Sequence, residues 1–293
     1  MNDVQPGILA PVPAFGRYLE FSIVPDGQPR PVLAKLAELA IDERCVVGLG
    51  PGLVGAVGAE VAALRPFPAL SGPGCNTPSS QADLWCWLRG DARGPLVHAS
   101  REIAAAVAPD LSLDFLIDGF KHDRGLDLTG YEDGTENPTG EDAVAAAVVS
   151  GAGGGLDGSS FVAVQQWAHD LDHFQSLPQG EQDDIIGRRL SDNEELDDAP
   201  VSAHVKRTAQ ESFDPEAFVV RRSMPWSDSS GEGLMFVAFG KSLDAFEAQM
   251  RRMVGEEDGI TDALLRFSRP LTGSYLWCPP VRNGHLDLTA LCL

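Results

Sequence analysis

Twice along this chain of 293 residues, segments whose apolar residues alternate and segments whose apolar residues recur every three or four positions follow one another in the same order. That order limits the fold more than any other feature, because a period of two demands a half-buried strand and a period near 3.6 an amphipathic helix. Residues 17–24 (RYLEFSIV) alternate, and 31–41 (PVLAKLAELAI) open with a proline where a helix tolerates one. A β-branched run at 45–49, a long Pro/Gly-rich loop and an aromatic-rich strand at 83–89 follow. A helix from Pro95 to about 107 carries Leu96, Ile103 and Val107 on one stripe, and a strand lies near 111–117. After the joint GAGGG at 151–155 the series restarts: a strand at 160–168, helical segments over 170–190, a polar acidic loop, and strands at 218–223 and 234–240. Ser242 is placed to cap a helix bearing Leu243, Phe246, Met250 and Met253, and a last strand covers 273–278. Two runs of β-α-β-β-α-β predict an α+β fold of two ferredoxin-like halves, residues 1–150 and 151–293, with antiparallel sheets covered by helices on one face. The repeat lies in element order, without residue-level self-similarity.

Composition narrows the function. With 22 Lys+Arg against 43 Asp+Glu, the net charge of −21 argues against nucleic acid and anionic membranes as partners. No window approaches 18 consecutive apolar residues, and the N-terminal MNDVQPGILAPVPA lacks a basic region followed by an apolar one, so a cytoplasmic protein is expected. Five cysteines without a C-x-x-C pair indicate neither a disulfide framework, a zinc ribbon nor covalently attached haem.

Some local patterns invite a chemical reading. Gly50 to Gly55 form a G-x-G-x-x-G after a strand, but no acid closes a next strand near residue 70, which favours a flexible loop over a dinucleotide site. His169 and His173 are spaced for one helical face, yet no third metal ligand joins them, and Asp170 and Asp172 resemble a solvated helix start. His98, His122 and His285 read as structural or solvated. The run GYEDGTENPTG (130–140) is dense in turn formers, so a linker in which Asp133 and Asn137 bond nearby backbone explains it as well as a site does.

That run also resembles the G-x-x-D-G signature of dye-decolourising peroxidases, haem enzymes built from two ferredoxin-like halves. The segments at 162–208, VVRRSMPWS (219–227) and GITDALLRFSRPLTGSYLWCP (259–279) are similar to the same family in the same order, and most like its bacterial B class. The resemblance implies haem b, one per chain, bound mainly by the C-terminal half, with His204 as the proximal iron ligand in an S-H-x-x-R-like context here written Ser202-Ala203-His204 with Arg207 kept. It implies Asp133 and Arg221 as the catalytic pair on the distal side, with Arg222 the competing assignment one residue out of register, and Ser223 on the same strand face as Arg221. Arg188 resembles the arginine that pairs with a haem propionate, and Asp262 the carboxylate behind the proximal imidazole, although an acid opening a helix also accounts for Asp262.

The implied activity is reduction of hydrogen peroxide and one-electron oxidation of phenolic or dye-like small molecules through a ferryl haem intermediate. Asp133 would shuttle a proton between the peroxide oxygens and Arg221 would stabilise the charge developing as their bond stretches. Tyr131, Trp167, Trp226, Tyr275 and Trp277 are candidate electron relays, with packed strand aromatics the simpler reading of each. A haem-handling protein on the same fold is the competing reading; it would need His204 but not both Asp133 and Arg221. A cofactor-free interaction module is the third. Exposed sheet faces lead to an expected homo-oligomer. Packaged relatives carry a C-terminal extension, whereas HLDLTALCL at 285–293 can equally complete the fold, so an encapsulin shell is an option without support. The acidic surface favours cationic or neutral donors over anionic dyes.

Overall fold

The computed structural model describes residues 3–293. The first series becomes β1 (Phe15–Ile23), α1 (Pro29–Glu38), β2 (Cys45–Leu49), β3 (Leu84–Gly90), α2 (Arg93–Val107) and β4 (Leu111–Phe120). The second supplies β5 (Ser160–His169), α3 (Gln179–Ile186), α4 (His204–Arg207), β6 (Met224–Asp228), β7 (Gly231–Gly240), α5 (Asp244–Met253) and β8 (Ser274–Cys278). Each set of four strands pairs antiparallel in the same way, β4-β1-β3-β2 and β8-β5-β7-β6, which is the ferredoxin-like order twice.

The two sheets do not stay separate. β2 meets β8 at Leu49–Trp277 and β4 meets β6 at Gly119–Trp226, so the eight strands close into a barrel. At the second seam a Cβ on Gly119 would stand 3.0 Å from Tyr18 and 3.1 Å from Met224, which is why glycine is needed there. Tyr18, Trp85, Trp87, Trp226, Met235, Val237, Phe239 and Leu276 fill the interior, and the helices pack outside on Leu33, Leu36, Ile103, Phe246 and Met250. The sheet faces expected to seek a partner chain therefore cover each other. Among the described residues no helix is long and apolar enough to cross a membrane.

The alternation at 218–223 is corrected in extent. Val220–Arg221 pairs with β7 in the same register as β6 (Arg221 opposite Ala238, Met224 opposite Met235), but the barrel strand itself is Met224–Asp228. Ser242 also differs from expectation: its Oγ accepts the Asp244 N–H at 3.3 Å, while Leu243 holds the cap position of α5. At one mouth of the barrel the N-terminal segment is tied down. Gln5 bonds Val47 N and O and the Pro279 carbonyl, joining both halves, while Arg89 and Arg222 donate to the carbonyls of Pro11 and Leu9. Leu286, Leu288 and Leu291 are buried in the outer core.

Glu20, on β1 opposite Trp85 and Phe115, is 6 % exposed. Burial, with Asp114 nearby, pushes its carboxyl from 4.5 up to about 7. The folded state then holds a proton that the unfolded chain has released, so stability is full below about pH 4.5 and falls as pH rises through 7. Glu20→Gln should leave melting unchanged at pH 4.5 and stabilise the protein at pH 8 by about 2–3 kcal/mol. Equal melting temperatures of the two proteins at pH 8 would contradict this.

Candidate functional site

A cavity of about 850 Å³ opens between the outer face of β5 and β7, which contributes Gln165, Trp167, Leu234 and Phe236, and a helical wall that contributes Ile186, Phe246, Met250 and Met253. Its exposed lining surface is mostly apolar, and Asp133, His204 and Arg221 are among the polar residues that border it. An outer cavity of about 980 Å³ shares those three residues and adds Arg188, Glu195 and Lys206.

His204 opens α4, which packs on the end of α3 where Gly187 adopts φ +92°. A Cβ at Gly187 would lie 2.3 Å from Val205 and 3.2 Å from the buried Ala203, so only glycine permits this close approach. His204 Nδ1 lies 2.8 Å from Asp262 Oδ2, and among the described residues no hydrogen bond engages Nε2. Asp262 is 1 % exposed, and its Oδ1 accepts the Leu264 N–H at 2.8 Å. Asp262 thus bonds the imidazole through one oxygen and opens a short 3-10 helix through the other.

Arg221 turns outward to the cavity, its Nη1 4.0 Å from Asp133 Oδ1, and its buried Nε has no hydrogen-bond partner among the described residues. Arg222 turns the other way, into the barrel mouth beside Arg89, where burial and that neighbouring charge lower its pKa to about 10. Ser223 shares the outward face with Arg221, but it lines a smaller adjoining cavity of about 410 Å³ rather than the large one; Asp133 and Arg221 border both. Arg188 lies at the outer cavity, bonded to Glu136 at 2.7 Å and the Asn193 carbonyl at 2.9 Å. The 130–140 run is thus no linker: Asp133 makes no local side-chain bond among the described residues, and the Asn137 side chain reaches Arg221 instead.

The glycine-rich segment after β2 is a short helix, Pro51–Ala56, not a loop. A Cβ on Gly52 would meet the Asp83 carboxylate at 2.1 Å, so the glycine serves close packing against Asp83. His169 and His173 part company: His173 starts a helix on Asp170, and among the described residues no three His, Cys, Asp or Glu side chains form a metal cluster. His169 reaches the large cavity, with Nε2 3.2 Å from Asp127 and Nδ1 2.7 Å from Ser268. Burial pushes the Asp127 carboxyl up, but His169 and Thr129 outweigh it and hold the group below its usual range. The sequence reading missed this pair, because its partners lie 42 and 99 residues away from His169. Tyr131 and Trp167 line the cavity, Trp226 sits inside the barrel, and with Tyr275 and Trp277 all five candidate relays are buried.

The sequence profile described as Dyp-type peroxidase, C-terminal, matches residues 124–283. A dye-decolorizing peroxidase of Mycobacterium tuberculosis is 31% identical over 224 residues, covering 74% of this chain and 67% of that one. The chain belongs to the Dyp-type peroxidase family. Among solved structures, a putative dyp-type peroxidase from Shewanella oneidensis is 30% identical, with a TM-score of 0.88 over 99% of this chain and 98% of that one. DyPB from Rhodococcus jostii RHA1 is 28% identical, with a TM-score of 0.86 over 96% and 97%. This Dyp-type peroxidase shares with them the whole duplicated fold, not only the profile-matched part.

Proposed function

We propose that this haem-dependent peroxidase, of the B class, holds one haem b per chain in the large cavity, with His204 Nε2 as the iron ligand, and acts on hydrogen peroxide and phenolic or dye-like donors. The observation that carries this reading is the meeting of three sequence-distant parts at one apolar cavity: His204 backed by buried Asp262, Asp133, and Arg221, whose buried Nε has no hydrogen-bond partner among the described residues. A flat apolar macrocycle suits such walls, and an imidazole whose Nδ1 is committed to a carboxylate presents Nε2 to a metal. Bound there, haem would supply the redox chemistry that cleaves the peroxide O–O bond.

The chain's own groups do the rest. Asp262 holds the His204 ring and raises its donor strength. The Asp133 carboxylate takes the proton from one peroxide oxygen and delivers it to the other, which leaves as water. Arg221 stabilises the negative charge that grows on the separating oxygens. Arg188, at the outer mouth, is placed to receive a propionate in exchange for Glu136. Ser223, in the adjoining cavity, holds water or peroxide on the far side of the pair. A carrier of haem would have no use for the Asp133–Arg221 pair, which favours the enzyme. The five unpaired cysteines suit a cytoplasmic setting.

The test is a visible spectrum of the purified protein titrated with haem, then with hydrogen peroxide and donors. A one-to-one Soret band that changes on peroxide addition and returns on donor addition is expected. Given the charge of −21, added salt should speed oxidation of an anionic dye and slow that of a cationic one. No Soret band would refute the cofactor, and a band indifferent to peroxide would refute the peroxidase site.

A further inference from the structure

Asn137 holds both polar groups of the Arg221 backbone. Its Oδ1 accepts the Arg221 N–H at 2.8 Å and its Nδ2 donates to the Arg221 carbonyl at 3.0 Å, across 84 residues of sequence. Val220–Arg221 pairs with β7 on one edge, and on its other edge the Asn137 amide supplies the donor and acceptor that a further strand would have offered. The guanidinium projects from that doubly held residue toward Asp133, four positions before Asn137 in the same turn run. A second amide acts in parallel: buried Gln210 donates to the Glu136 carbonyl at 3.0 Å and accepts the Val219 N–H at 2.9 Å. Gly134 makes the grip possible. It adopts φ +81°, and a Cβ there would stand 2.8 Å from Asn137 Nδ2.

We propose that Asn137 is a positioning residue for peroxide activation: by clamping the Arg221 backbone to the loop that carries Asp133, it fixes the distance and angle between guanidinium and carboxylate. The proposal rests on the reading of Asp133 and Arg221 as the catalytic pair. The pair is 4.0 Å apart and partly open to the cavity, so its own attraction is screened and does not hold one geometry. The backbone clamp does, and a misplacement of about 1 Å costs about a hundredfold in rate where reacting groups must align.

The test compares Asn137→Ala, Asn137→Asp, Arg221→Ala and the Asn137→Ala/Arg221→Ala double variant. In the haem-loaded protein, Asn137→Ala should keep full haem occupancy and donor KM but react with peroxide about 10- to 100-fold more slowly. Asn137→Asp, which keeps the acceptor and loses the donor, should fall between it and the wild type. The double variant should be no slower than Arg221→Ala alone, because the clamp acts only through that side chain. In the haem-free protein, hydrogen exchange of the Arg221 amide should be at least tenfold faster in Asn137→Ala, a readout independent of activity. A wild-type peroxide rate in Asn137→Ala beside a slow Arg221→Ala overturns the inference and leaves the site reading standing, as does an additive loss in the double variant. A wild-type rate in Arg221→Ala removes the site reading, and this proposal with it. Should Asn137→Ala fail to fold, Asn137→Asp decides: a wild-type rate and unchanged amide exchange would overturn the clamp.

Discussion

His204→Ala is expected to yield a folded protein that no longer retains haem through gel filtration, with the Soret band lost from the protein fraction. The ring is the one histidine in the cavity whose Nδ1 is engaged by a fully buried carboxylate and whose Nε2 is free of hydrogen bonds among the described residues. His169 lines the same cavity, but both its ring nitrogens are occupied by Ser268 and Asp127, so it offers no ready substitute. Removing His204 leaves Asp262 Oδ2 without its partner, at a cost of about 1–3 kcal/mol to the haem-free fold, which thermal melting should register. Asp262→Asn separates orientation from ligation: haem is kept, with affinity lower by about 10- to 100-fold, as for loss of an outer partner of a metal ligand. Undiminished haem binding in His204→Ala would sink the ligand assignment.

Arg221→Ala is expected to bind haem normally and to lose about 10²–10³ in the rate constant for reaction with peroxide, the cost of removing one fixed donor from a site of developing negative charge. Stopped-flow decay of the resting Soret band measures it. Arg222→Ala should behave in the opposite way. It loses bonds to the Leu9 and Arg221 carbonyls at the barrel mouth, so melting should fall while the peroxide rate stays near wild type. Were Arg222→Ala the slow variant, the outward face of this strand would have been assigned to the wrong arginine. Asp133→Ala in the same assay decides whether proton transfer or charge stabilisation contributes more.

The two arginines show how far the strand pattern reaches. Alternation along VVRRSMPW makes Arg221 and Ser223 share one face and Arg222 the other, a consequence of pleating that needs no coordinates. Which face meets the cavity depends on the direction in which the sheet curls, and only barrel closure settles that. The same limit explains Ser223: the face was legible, but not that Asp133 and Arg221 divide two cavities and leave Ser223 in the smaller. Arg188 was legible as a cation near the site, but its bond to Glu136 was not, since the two are 52 residues apart.

The element order, the two ferredoxin-like halves, and the residue types gathered in the 130–140 run and at His204 are legible in the chain without coordinates. These are local properties, carried by hydrophobic period, turn chemistry and short motifs. Packing in three dimensions is needed to close the two sheets on each other at Leu49–Trp277 and Gly119–Trp226, to pair His169 with Asp127 at the cavity, and to bring Asn137 onto Arg221. Each of those joins groups tens to hundreds of residues apart, and such contacts form only when packing brings both partners together and repays the entropy of ordering them.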